Sequence, residues 1–251
     1  MSRAYPMLNR PPIVEAVVDF DCDLPPGLEL AAFEKAAREK FADLYPLVQP
    51  RLMQHVQVKA EADGTFNSSL NQGLEALMFK RADQKQLVQV RKTGFSFNRL
   101  APYDGLESYL PEIERGWNLY REIAHPVLVR SLRLRYINRI EVPFQDGPVD
   151  LDKYFKLHNM LADEQNLTLT GFLSQYSAVE RATGNQVAVV LTAQNPEGDK
   201  LPIILDNAAA ANVELEPTDW EGLSRALAVL RELKNRVFFG TVKQPCLDLF
   251  R

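Results

Sequence analysis

Residues 131–144, SLRLRYINRIEVPF, alternate between apolar and polar side chains, and this alternation constrains the fold more than any other feature of the chain. Successive side chains of a strand point to opposite faces. Leu132, Leu134, Tyr136, Asn138, Ile140 and Val142 therefore share one side, and Arg133, Arg135, Ile137, Arg139 and Glu141 the other. A strand of this kind is buried on one face and wet on the other, as in an antiparallel sheet covered from one side. Residues 13–23 follow the same plan, with Val14, Ala16, Val18, Phe20 and Cys22 set against Glu15, Val17, Asp19, Asp21 and Asp23.

The two strands head similar series of elements. After the first, Pro25, Pro26 and Gly27 turn the chain. Leu30, Phe33, Ala37, Phe41 and Leu44 then recur at helical spacing over 28–44. Short strands are predicted near 53–61, 74–80, 86–93 and 95–99, with a turn at 62–64, followed by a helix over 106–124 that contains Pro111. After 131–144 comes a turn at 145–148. Asp150 then caps a predicted helix bearing Leu151, Tyr154, Phe155, His158 and Leu161. Strands are predicted near 167–181, 186–194 and 201–209, and a last helix starts at Thr218, which forms a capping box with Glu221. The expected fold is α+β. An internally duplicated strand-helix-meander-helix unit forms antiparallel sheet, with helices packed on one face. Its halves, 1–126 and 127–251, make one intimate unit.

If the two leading strands meet, the acidic row Glu15, Asp19 and Asp21 lies beside the basic row Arg133, Arg135 and Arg139. Such rows act as a register device when they pair across strands, or as an anion site when guanidinium forks are left free. The expected binding residues are Arg133, Arg135, Asn138, Arg139, Glu15 and Asp19.

No nucleophile elbow, P-loop, dinucleotide fingerprint or H-E-x-x-H pattern occurs, and His55, His125 and His158 fall in separate predicted elements. No catalytic residue, metal ligand or cofactor is expected. A net charge of −4 gives no pull toward nucleic acid or anionic lipid. Cys22 and Cys246 lie near opposite ends without metal-type spacing and read as free thiols of a reducing compartment. The absence of a signal-type N-terminus and of any long apolar run leads to the expectation of a cytoplasmic protein.

Several short motifs, in order, resemble a sporadically distributed family of uncharacterised bacterial proteins. They are Pro12-Ile13-Val14-Glu15-Ala16, Phe95-Ser96-Phe97-Asn98 followed by Pro102-Tyr103, Arg135-Tyr136-Ile137-Asn138-Arg139-Ile140, and the closing residues 233–239. The resemblance spans nearly the whole chain. It implies a bacterial cytoplasmic protein with an accessory role, and it carries no activity or functional residue.

The leading expectation is thus a non-catalytic binding module for a partner protein or a small anionic ligand, with a homodimer also open to it. The runner-up is a metal-dependent phosphohydrolase of the triphosphate-tunnel kind, in which alternating acids hold a metal and bases hold phosphates. The first strand departs from that pattern, reading Glu15-Ala16-Val17-Val18-Asp19 in place of alternating glutamates followed by lysine. Nucleic-acid binding is a third reading, which the net charge disfavours.

Overall fold

A computed structural model describes residues 5–6, 8–60, 66–144, 149–156 and 171–251, the side chains of 53–73 apart. Outside the described residues lie the predicted turns at 62–64 and 145–148, the positions of His158 and Leu161, the start of the strand predicted at 167, and the side chain of His55. The described chain is an α+β fold of one nine-stranded antiparallel sheet and four α-helices.

In chain order the strands are β1 (Ile13–Asp23), β2 (Leu47–Ala60), β3 (Phe66–Lys80), β4 (Gln86–Arg91), β5 (Gly94–Leu100), β6 (Leu128–Pro143), β7 (Leu173–Val179), β8 (Gln186–Ala193) and β9 (Lys200–Leu215). The helices are α1 (Leu30–Phe41), α2 (Leu106–Ala124), α3 (Trp220–Thr241) and α4 (Gln244–Asp248). Across the sheet the order is β2-β3-β4-β5-β1-β6-β9-β8-β7, which puts the two alternating strands side by side at its middle. Their register sets Val18 against Leu134, Val17 against Arg135 and Asp19 against Arg133.

One face of this sheet is dry. Ala16, Val18 and Phe20 of β1, Phe95 and Phe97 of β5, and Leu132, Leu134 and Tyr136 of β6 are buried together with Phe33 of α1, Trp117 of α2 and Leu227 of α3. Trp117 stacks on Phe20 with ring centroids 4.9 Å apart, and its indole N–H donates to the Pro217 carbonyl at 3.0 Å. A buried indole needs such an acceptor. A second apolar cluster lies further along the same face. Ile140 and Val142 of β6 and Ile203 and Leu205 of β9 pack there with Phe155, Phe238 and Cys246.

Local chemistry departs from expectation at several points. Where a capping box is expected, the N-cap of α3 is Asp219, whose Oδ1 accepts from the Gly222 N–H at 2.8 Å. Asp150 does accept from the Asp152 N–H, yet the described chain beyond it is a single 3₁₀ turn, Leu151–Lys153. Backbone bonds of Lys156 to Thr241 and of Lys243 to Tyr154 then draw it out as a bridge, burying the adjacent Tyr154 and Phe155 together. β9 runs on to Leu215, past the expected end at Ala209, because β6 pairs with it throughout and overrides the low strand propensity of alanine. α2 continues through Pro111, and the short α4 has no counterpart in the expectation.

The close approach of β5 to β1 has one strict requirement. A Cβ built on Gly94, at φ +153°, would lie 1.9 Å from the Phe20 carbonyl oxygen. Backbone cannot yield as a flexible side chain can. Gly94→Ala is therefore expected to destabilise the protein by on the order of 3 kcal/mol or more. Gly240→Ala, in helix with no neighbour within 4 Å of the added Cβ, should gain up to about 1 kcal/mol. Urea midpoints at unchanged m-value check both.

Candidate functional site: the charged open face

The face opposite the helices carries every second residue of the same strands. Directly paired residues share a face, so the register defines lanes that run across the sheet. One lane is Asp19, Arg133, Ala210, Gln186 and Val179. The next is Val17, Arg135, Ala208, Ala188 and Ser177.

The acids and arginines at the centre turn away from one another. Glu15 accepts from Asn98 Nδ2 at 2.6 Å and Asp19 from Ser96 Oγ at 2.5 Å, both partners lying on β5. Asp21 accepts from Ser131 Oγ at 3.0 Å and pairs with Arg91 Nη1 of β4, also at 3.0 Å. Arg91 reaches it across Gly94, which stands in register with both residues and has no side chain to block the lane. On the other side, Arg135 grips Asp206 of β9 through Nε, at 2.9 and 3.0 Å, and Nη2, at 2.5 Å. These bonds hold the Arg135 guanidinium above its ordinary pKa range, so it stays charged. Arg139 donates to Glu197 of the β8–β9 turn at 2.5 Å and lies 3.7 Å from Glu141. One acid–arginine pair does join the two strands, Asp23 to Arg130 Nε at 2.6 Å, while among the described residues Glu15, Asp19 and Asp21 find their partners in Arg91, Ser96, Asn98 and Ser131 and not in Arg133, Arg135 or Arg139.

Arg133 differs from the other two arginines. Asp19 faces it in register, yet no hydrogen bond or ion pair to its guanidinium is found among the described residues, and the side chain is exposed. It lines a cavity of about 460 Å³ with Asp21, Ser131 and Asn212 on one side and Ser177 and Val179 of β7 on the other. The floor is made by Ala188, Ala208 and Ala210, whose short side chains leave a trench in the sheet surface. The sequence expectation misses this floor. A run of four alanines opposite an arginine row, 208–211, is the signal that could have found it.

Asn138 belongs to the other face, which corrects its assignment to the binding row. Strand alternation sends it toward the helices, where it is 2% exposed. Its Nδ2 donates to the Leu205 carbonyl at 2.8 Å and to Asn207 Oδ1 at 3.1 Å, and Asn207 Nδ2 donates to the Lys234 carbonyl of α3 at 3.2 Å. The Lys234 side chain is buried in the same layer, with Nζ 3.5 Å above the Tyr136 ring, whose hydroxyl meets that of Tyr103. Burial, helped by the nearby Arg231 charge, pushes the Lys234 amine well below its ordinary range. An ammonium over a ring gains about 2 kcal/mol, whereas a buried charge without hydrogen bonds costs several, so the neutral amine is favoured.

Cys22 and Cys246 are free, and burial pushes both thiols up to about 12, which makes them poor nucleophiles. His125 sits in the left-handed cap at the end of α2. Among the described residues no group of three or more His, Cys, Asp or Glu side chains is placed to hold a metal ion, and no helix is long and apolar enough to cross a membrane. In comparisons with known proteins, no family model matches this chain and no curated protein resembles it.

A neutral buried lysine has a definite pH signature. The unfolded chain binds a proton that the folded chain does not, so stability rises with pH up to the ordinary lysine value of about 10.4. Lys234→Met lacks this slope. The variant should be more stable than the parent at pH 7, and the gap should shrink steadily toward pH 10.5. Urea midpoints at pH 7, 8.5 and 10 measure it, and a gap that does not change with pH would mean that the folded amine is charged.

Proposed function

We propose that this protein is a non-catalytic binding module whose open sheet face holds a small anionic ligand, or the equivalent group of a partner protein, at Arg133. The observation that carries this reading is the asymmetry among the four arginines of β6. Arg130, Arg135 and Arg139 are held by carboxylates, while Arg133 stands without a partner among the described residues, at the edge of a trench. A guanidinium fork offers bidentate geometry to carboxylate or phosphate, and a rigid strand presents it without ordering a loop. The trench volume of about 460 Å³ falls within the range of roughly 300–1,000 Å³ common for small-molecule sites.

The phosphohydrolase reading calls for a closed tunnel, whereas this sheet is open, with β2 and β7 at its ends. Nucleic acid calls for a continuous basic stripe, and here carboxylates interrupt the arginines.

We read the chain further as two related halves of a bacterial cytoplasmic protein of accessory role. Supporting this, the leading strands β1 and β6 adjoin antiparallel at the sheet centre, each followed by a meander and a long helix, and both cysteines are free. The motif resemblance points the same way.

A thermal-shift screen against small carboxylates, phosphates and sulfonates tests the binding reading. A stabilising anion should raise the melting temperature of the parent in a saturable way, and Arg133→Ala should abolish the shift while keeping the parent's circular dichroism and its unliganded melting temperature within about 2 °C. An anion response that is identical in Arg133→Ala, or absent from both proteins, would remove the open face as a binding site.

A further inference from the structure

Resting on the binding site just proposed, we infer that its ligand is a monocarboxylate with a compact apolar body, and that phosphate esters and polyphosphates are excluded. The first ground is local charge. Around the head of the trench stand Arg91 and Arg133, matched by Asp19 and Asp21. Two cations against two anions already balance, so the second charge of a dianion meets the repulsion of Asp19 and Asp21 with no further cation to offset it. Asp21 itself lines the cavity, held in place by Arg91 and Ser131, and every further negative charge on a ligand is repelled by it. A single carboxylate can take the planar fork of Arg133 without a second anionic group meeting Asp21.

The second ground is the shape and chemistry of the trench. From Ala210, beside Arg133, through Ala208 to Ala188 the floor is apolar, and Val179, which is 61% exposed, stands at the far edge on β7. An apolar body reaching from Arg133 over Ala210, Ala208 and Ala188, beside Gln186, would cover the apolar part of the trench. Ser131, Ser177, Gln186 and Asn212 supply neutral hydrogen-bonding groups, suited to orienting a small ligand and unable to neutralise a polyanion. The same chemistry belongs to a free branched-chain acid and to the C-terminal carboxylate of a peptide ending in an apolar residue.

The test uses the full chain with ¹⁵N labelling and follows the amide resonances of Ala188, Ala208 and Ala210. Four probes are titrated: 4-methylpentanoate, 4-methylpentyl phosphate, a tetrapeptide ending in leucine with a free carboxylate, and its C-terminal amide. The expected result is saturable shifts of the three alanines with 4-methylpentanoate, at least tenfold weaker binding of the phosphate ester, and loss of tenfold or more in Arg133→Met. Ala188→Leu, which fills the trench from a partly exposed position, should abolish binding even where Arg133 is intact. A peptide acid that binds more tightly than the free acid, with the amide inactive, identifies a chain terminus as the source and supports the same chemistry. Tighter, Arg133-dependent binding of the phosphate ester would overturn the carboxylate inference and leave the binding reading standing. Failure of all four probes to move the alanines would overturn the carboxylate inference, while the broader anion screen separately decides the binding reading.

Discussion

A sheet covered by helices on one side only must fix its register on both faces at once, since a slip of a single residue would exchange the buried row for the charged one. In this protein β1 and β6 carry that constraint at the sheet centre. On the helix side Val18 faces Leu134 and Phe20 faces Leu132, all four buried. On the open side the same register sends Asp21 to Ser131 and leaves Arg135 free to lean diagonally to Asp206. Exposed pairs of this kind contribute little each, and their effect is to specify alignment more than to hold the fold together.

The helix side is not uniformly apolar. Asn138, Asn207 and Lys234 form a polar layer between the cluster around Trp117 and the one around Phe155 and Phe238. The two asparagines join β6 to β9 and then to the main chain of α3, with hydrogen bonds that only one register allows. A satisfied buried network specifies position at some expense of stability. Lys234 is the exception within it, since among the described residues its amine finds only the face of Tyr136.

Much of this was legible in the sequence because it depends on period alone. The faces of β1 and β6 follow from alternation, and the bounds of α2 follow from the apolar stripe Leu106, Ile113, Trp117, Tyr120 and Ile123. The same alternation places Asn138 opposite the arginines, so its assignment to their row conflicted with the pattern that defined them. Partner choice was not legible. Arg135 meets Asp206, 71 residues away, because β9 is the neighbour of β6, and no local pattern encodes strand order. The cap of α3 was missed by one residue because Thr218 and Asp219 are both good caps and only the observed bond to Gly222 separates them. The trench was missed because it is an absence of side-chain volume, which becomes a feature only when three strands are laid side by side.

The alanine run of β9 links these levels. Ala209 and Ala211 face the helices and belong to the main apolar cluster, where small side chains let α3 lie close to the sheet. Ala208 and Ala210 face the other way and make the trench floor. One segment therefore thins the sheet on both sides, and only β9 backbone separates the trench from the helix that carries Lys234. Asn207, next to Ala208 in the chain, bonds the main chain of that helix, while Asp206 before it holds Arg135 at the trench side. Ala208 at the trench floor and Asn207 bonded to α3 are adjacent residues of one strand, so neither can be placed without fixing the other. The charged face and the buried polar layer are two sides of one strand, and the same few residues set the geometry of both.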